Sequence, residues 1–399
     1  MPMVRVADFI AQTLASWGIR DVFMVTGGGA MHLNDAIGRE RRLRWHCCHH
    51  EQACAMAAES YYRLTGRLAA VNVTSGPGGT NAITGVFGAW TDSLGMVVVS
   101  GNVKWETMVG STHLPLRQLG DQEADIVAMV RPITKYAVVV REAESVRYHV
   151  ERALHLAVHG RPGPVWLDVP MNVQGALVDP AALRGYDPAE DAVVWLTPDV
   201  PAACTEILRR LRAAERPVIL AGNGVRISGA YDRFLELVDR LGVPVTTPWN
   251  GHDLIWDGHP CYAGRPGIMG DRAGNFSVQN ADLLISLGCR LSIRQVSYDW
   301  ANFARAAYKV VIDVDAAELA KPTLSPDLPV HADVAVVIDA LLAMTAEGYE
   351  RPDAHRAYVD WCRERVRRYP TILPSYGEAI DKINPYVFLG RLFGQLPEG

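Results

Sequence analysis

The chain has 399 residues, a length that exceeds one ordinary hydrophobic core and predicts two domains or three. Its composition, 49% hydrophobic and 21% charged, is that of a globular protein with a well-buried interior. A formal net charge of −5, with no basic cluster or aromatic-interleaved basic stripe, argues against a nucleic-acid or anionic-membrane surface and points to small molecules.

Residues 3–14 have helical periodicity, interrupted by Asp8 and Gln12, and lack the regions of a secretion signal. Residues 21–25 read as a strand, and Gly27-Gly28-Gly29 follows it as a turn. His49-His50-Glu51-Gln52-Ala53 then places an acidic residue at the start of an Ala-rich helix, just after a strand. Residues 68–74 form the next clear strand, and Gly76-Pro77-Gly78-Gly79-Thr80-Asn81 is a Gly-rich turn opening a second helix. Further strands fall at 96–100 and 164–169. Apolar on both faces and separated by helical segments, these strands predict an α/β domain with a parallel, doubly covered sheet over residues 1–175.

Residues 176–198 carry Pro, Asp and Gly without periodicity and read as a linker. A second alternating unit, Rossmann-like and doubly wound, is expected over 199–345, with strands at 217–221, 243–247, 283–287 and 309–313 and a helix at 230–241. The segment 346–399 offers a charged amphipathic helix at 354–369 and the start of another at 385–396. No apolar run is long enough to span a bilayer. Seven cysteines, odd in number and irregular in spacing, fit a reducing cytoplasm better than a disulfide framework. Cys47-Cys48-His49-His50 with Cys54 lacks a C-x-x-C pair, so no metal site is expected, and no G-x-S-x-G elbow supports serine nucleophile chemistry.

Taken in order, these motifs resemble the acetolactate synthase-type family of thiamine diphosphate (ThDP) enzymes from residue 3 to about 345, across its pyrimidine-binding and middle domains. The pattern His50-Glu51-Gln52-x-Ala-x-x-Ala-Ala-x-x-Tyr-x-Arg carries most of the resemblance. It implies that Glu51 hydrogen-bonds the pyrimidine N1′ and drives the cofactor into its imino tautomer, whereas spacing alone also allows a Glu placed by the helix macrodipole. The resemblance places Thr74, Pro77 and Asn81 beside the pyrimidine, although the glycine turn read alone could simply pack helix on sheet. Gly27 and Gly28 match positions near the reactive carbon, where small residues leave room for an acceptor. Gln118 and Gln122 match a loop facing the reacting end of the cofactor, with catalytic roles implied. Lys135 matches a common family lysine, and reads equally well as a surface or domain-contact lysine.

The segments Val25 to Asp35 and Leu114 to Glu123 resemble, more narrowly, a branch that acts on keto-deoxy sugars attached to a nucleotide. In the second unit, Gly222-Asn223-Gly224 and the segments around Thr247, Arg265, Arg290 and Arg294 resemble FAD-contacting segments, with Asp313 and Asp315 toward the adenine end. The GxG alone is a weak dinucleotide signal. The implied activity is decarboxylation of pyruvate and transfer of the two-carbon unit to a keto acid or a keto-deoxy sugar nucleotide, with FAD structural if bound. In the family, Mg²⁺ and the diphosphate are held by a Gly-Asp-Gly segment and a later Asn in a third domain, and no Gly-Asp pair here continues that way. The expectation is a truncated chain or a separate diphosphate-domain polypeptide, with no turnover by this chain alone, and a homodimeric or homotetrameric assembly. Two other readings stand beside it: a non-catalytic nucleotide- or flavin-binding partner subunit, and an inactive product that folds without binding ThDP.

Overall fold

The computed structural model describes residues 2–378 and 381–397; of the expected segment 346–399, residues 379–380 and 398–399 lie outside the described residues. Contacts divide the chain into two units, Met1–Val193 and Val194–Gly399. Each is α/β and built on a parallel sheet.

The first unit opens on β1 (Val4–Arg5) and the helix Val6–Ser16, then lays down β2 (Asp21–Met24), β3 (Arg44–Cys47), β4 (Ala70–Val73), β5 (Met96–Asn102), β6 (Tyr136–Val139) and β7 (Pro164–Pro170). Their spatial order is β3-β2-β4-β5-β7-β6, all parallel. Every residue of β4, β5 and β7 is buried, as a parallel sheet covered by helices on both faces requires. The edge strand β3 is exposed throughout and is held by charge, with Arg44 and His46 reaching the buried Asp21 carboxylate at 2.7 and 2.8 Å. The chain steps from β2 to β3 on one side and then to β4 on the other, so the loops leaving these strands diverge and open a crevice at their carboxyl ends.

The stretch expected as a linker is ordered as part of this unit up to Val193. β8 (Leu177–Val178) pairs antiparallel with β1, and Asp191 receives both arms of Arg152 at 2.8 and 2.9 Å. Ion pairing and one short ladder anchor it, neither of which shows as apolar periodicity.

The second unit contains β9 (Pro217–Ala221), β10 (Val245–Thr246), β11 (Leu283–Leu287), β12 (Tyr308–Asp313) and β13 (Leu328–His331), in the order β10-β9-β11-β12-β13. It repeats the reversal of order, here around β9. The helix Tyr231–Leu241 buries Phe234, Leu237, Val238 and Leu241 and ends at Gly242 with φ +59. The helix Asp353–Arg368 packs on the helix Arg272–Gln279, where the Tyr358 hydroxyl donates to the Ser277 carbonyl. The edge strands β6 and β13 extend the sheets beyond the strands expected from sequence. Among the described residues, no helix is long and apolar enough to cross a membrane.

One acid sits inside the first core. Asp168 on β7 is 1% exposed; it accepts the Ser100 hydroxyl at 2.6 Å and the Asn102 amide at 2.8 Å, and the Trp166 indole donates to Ser100 at 2.8 Å. Burial pushes its carboxyl up to about 6, against the opposing pull of the Ser100 and Asn102 donors. A carboxyl raised on folding binds its proton more tightly in the native state, so its contribution is greatest in acid and is lost as pH rises through about 6. Denaturant unfolding of wild type and Asp168→Asn across pH 4 to 7 should therefore diverge, wild type losing on the order of 2–3 kcal/mol that the variant does not lose.

Candidate functional site

The crevice of the first unit is built from the loops after β2, β3 and β4. The chain leaves β3 through Cys48 and His49, and His50 caps the helix Glu51–Thr65 from an extended backbone, its Nδ1 accepting the Gln52 N–H at 3.1 Å. Glu51 is the first helical residue, where the positive end of the helix dipole favours a carboxylate. The helix Pro77–Asp92 crosses it so closely that a Cβ on Gly85 would stand 2.5 Å from the Ala55 Cβ. That approach brings Asn81 to Glu51, with Nδ2 donating to Oε2 at 3.0 Å.

The turn before this second helix is as specific. Gly76 has φ +54 and ψ −114, a conformation that side-chain-bearing residues avoid, and Pro77 supplies a preset φ at the first helical position. Gly27 lies against Thr74, where a Cβ would come within 2.5 Å of the Thr74 Cβ, whereas a Cβ on Gly28 would meet open space. Two buried polar atoms here have no partner, the Thr74 hydroxyl and Asn34 Oδ1, although the Asn34 amide donates to the Gly27 carbonyl at 3.3 Å. A carboxylate with one oxygen engaged by Asn81, an orphaned hydroxyl and open space at Gly28 fit a small hydrogen-bonding heterocycle such as an aminopyrimidine.

Gln118 and Gln122 are exposed on the loop after β5. Gln122 has φ +55, and a Cβ on Gly76 would stand 2.1 Å from the Gln122 carbonyl oxygen, so this backbone touches the turn. Gln118 donates to the Glu123 carbonyl at 3.2 Å. Glu123, for which sequence reasoning found no role, accepts the Val109 N–H at 2.6 Å and those of Leu119 and Gly120 at 3.1 and 3.2 Å. Its only sequence signal is its place beside Gln122. Glu51, Asn81, Thr74, Pro77, Gly27, Gly28 and Gln122 thus gather at one end of the sheet, with Gln118 joined to them through Glu123. Lys135 is not a surface group: its ammonium donates to the His159 carbonyl at 2.5 Å, and burial lowers it to about 8.

In the second unit the residues singled out lie at the carboxyl ends of β9, β10, β11 and β12. Gly222 and Gly224 donate to the Leu287 and Gly288 carbonyls at 2.9 and 3.0 Å. A Cβ on either would come within 2.3 or 2.7 Å of the Gly288 oxygen, so these glycines permit one loop to lie on another. Asn223 between them is half-buried. The Thr247 hydroxyl is buried without a partner. Arg265 is bound to the Tyr262 hydroxyl and to Asp257, both at 2.7 Å. Arg290 and Arg294 are exposed, and Arg294 lies over the Trp249 ring at 5.9 Å. Asp313 accepts the Asp315 N–H at 2.9 Å, and Asp315 caps the helix Ala316–Ala320 through the Ala317 N–H at 3.0 Å. An orphaned hydroxyl with exposed guanidinium groups at the rim fits an anionic dinucleotide. Among the described residues, no group of three or more His, Cys, Asp or Glu side chains could hold a metal ion.

Comparison with known families matches residues 4–129 to the thiamine pyrophosphate enzyme N-terminal TPP binding domain and residues 204–341 to the thiamine pyrophosphate enzyme central domain. The chain is 34% identical over 398 residues to the acetolactate synthase large subunit of Lactococcus lactis, an alignment covering 98% of this chain and 65% of that protein. It is 34% identical over 348 residues to the probable acetolactate synthase large subunit of Methanocaldococcus jannaschii, covering 84% and 55%. With acetolactate synthase isozyme 3 large subunit of Escherichia coli it shares 29% identity over 402 residues, covering 98% and 67%. The chain thus spans less than two thirds of the first two relatives.

The Gly76 turn can be tested by itself. Gly76→Ala places a methyl group into the Gln122 carbonyl at a left-handed backbone position and should cost about 1–3 kcal/mol in denaturant unfolding, whereas Gly28→Ala, facing open space, should cost a few tenths.

Proposed function

The chain belongs to the thiamine pyrophosphate enzymes through its N-terminal and central domains, and on that premise we propose that it serves the ThDP-dependent decarboxylation of pyruvate with transfer of the two-carbon unit to a second 2-keto acid. The observation that carries this reading is the Glu51 carboxylate, held by Asn81 at 3.0 Å in the crevice bounded by the loops after β2, β3 and β4. When bound, thiamine diphosphate supplies an activated carbon that adds to the keto group and accepts the charge left by departing CO₂. Asn81 occupies Oε2 of Glu51, leaving Oε1 to hold or share a proton at the pyrimidine N1′. Thr74 offers its unpartnered hydroxyl to the same ring, and Pro77 starts the helix that delivers Asn81. Gly28 keeps a side chain out of the space an acceptor needs, Gly27 lets its loop lie on Thr74, and the amides of Gln118 and Gln122 are the polar groups suited to orient a keto-acid carboxylate.

The relatives are named for acetolactate, which supports a keto acid as acceptor. None of those reported is named for a sugar nucleotide, so that acceptor, suggested by the Gln118 segment, has only the local resemblance behind it. The same reading extends to FAD in the second unit, supported by the Thr247 hydroxyl and the exposed Arg290 and Arg294. Mg²⁺ belongs to the diphosphate end of the cofactor, away from the residues around Glu51. Assembly as a homo-oligomer, or with a separate diphosphate-domain chain, and a cytoplasmic location rest on the resemblance and on the cysteine pattern alone.

With ThDP, Mg²⁺, pyruvate and a diphosphate-binding domain, supplied in the same polypeptide or as a separate chain, the protein should form acetolactate, and Glu51→Gln should lower kcat by about 10²–10⁴-fold while leaving the fold intact. An unchanged rate in the variant overturns the assignment of Glu51. A visible flavin absorbance band in the purified protein supports the second-unit reading, and a colourless folded preparation removes it.

A further inference from the structure

Glu123 touches no reacting group, yet its carboxylate closes the loop that carries Gln118 and Gln122. The loop leaves β5 at Asn102, whose Oδ1 accepts the Val103 N–H at 2.9 Å. Fourteen residues separate Val109 from Glu123, and the 2.6 Å bond between them joins the outgoing arm to the returning one. The other carboxylate oxygen accepts Leu119 and Gly120, which fixes the returning arm. Gly120 is pressed so closely that a Cβ would stand 2.5 Å from Val103 Cγ2 and 2.8 Å from the Thr107 carbonyl. Hydrogen bonds to an ionised carboxylate are stronger than neutral ones, and three converge on this one side chain.

The clasp has something to restrain. Gln122 has φ +55, a left-handed conformation that a residue with a side chain keeps only where its surroundings over-determine it. Its carbonyl lies against Gly76, the turn that opens the Asn81 helix. Glu123 follows it directly, so fixing the Glu123 side chain to Val109, Leu119 and Gly120 also fixes the peptide that leaves Gln122. We propose that Glu123 is a positioning residue, which clasps the loop 103–123 so that Gln122 is held left-handed against the Gly76 turn. Its consequence for catalysis rests on the function proposed above; the clasp itself does not.

The test compares wild type, Glu123→Gln and Glu123→Ala by amide hydrogen exchange and thermal midpoint, and by kcat and KM for pyruvate with a diphosphate-binding domain supplied in the same polypeptide or as a separate chain. Glu123→Gln retains one oxygen acceptor but turns an amine toward the other donors, so it covers the case in which the alanine variant folds poorly. Exchange at Val109, Leu119 and Gly120 should accelerate by about tenfold or more in Glu123→Ala, where all three amides lose the Glu123 carboxylate, and in Glu123→Gln at the amides left facing the amine, while amides of β4 and β5 stay protected. In the folded variants kcat should fall by about 10²-fold for alanine and less for glutamine, with KM and thermal midpoint nearly unchanged, as expected for a misplaced group. A purely structural role would instead lower the midpoint and leave the kcat of the folded fraction intact, which overturns the positioning role. Unchanged exchange overturns the clasp whatever the activity. If wild type forms no acetolactate, the proposed function fails instead, and the exchange measurement alone decides whether Glu123 holds the loop.

Discussion

The site depends on how closely backbone can approach backbone at the carboxyl ends of the strands. Among the first-unit contacts that leave no room for a β-carbon are Gly27 on Thr74, Gly85 on Ala55, and Gly76 on the Gln122 carbonyl. The Gly85 contact joins the helices that follow β3 and β4, which lie on opposite sides of β2, and the Gly76 contact joins the loops after the adjacent strands β4 and β5. Without the Gly85 approach, the two helices would separate by roughly the width of a methyl group, and the 3.0 Å bond from Asn81 to Glu51 would open. The chemistry proposed for Glu51 is in this sense a property of glycines that never touch it.

The second unit obeys the same constraint with a different result. Gly222 and Gly224 fit under Gly288 at the equivalent reversal around β9, and both of their N–H groups are used by β11 and its following loop. The N–H groups of Gly222 and Gly224, occupied in this way, cannot also bind a phosphate. The Thr247 hydroxyl and the exposed Arg290 and Arg294 are the groups on hand, since Arg265 is already matched by Asp257. The same reversal of strand order therefore carries an acid in the first unit and exposed arginines in the second.

Much of this was legible in the chain itself. Continuous apolar runs at β4, β5, β7, β9 and β11 announced buried parallel strands, because a strand covered on both faces needs no polar alternation. Glu51 was legible from its motif, and the helix does begin at that residue. What stayed hidden depends on contacts distant in sequence or on backbone angles. Asp191 holds the end of the first unit through Arg152, 39 residues away, and nothing in the Pro- and Gly-bearing stretch around it signals order. Gln122 gives no sign of a left-handed backbone, since neither glycine nor asparagine marks the position. Glu123 looks like one more surface carboxylate until the loop closes on it.

These hidden features form one chain of restraint. Asp168, buried beneath the ends of β5 and β7, orients the Asn102 amide, and the oxygen of that same amide receives Val103, where the loop starts. Glu123 then fixes the other end of the loop, and Gln122 passes the restraint to Gly76 and so to the Asn81 helix. A buried acid is a costly way to hold one asparagine, because desolvation opposes its charge. That cost is understandable if the amide must be fixed in one orientation, with its N–H₂ inward and its oxygen toward the loop. An apolar residue at 168 would pack as well but could not choose between the two orientations. The acid at 168 thus contributes specificity of conformation where the loop begins, and the acid at 123 does the same where it ends.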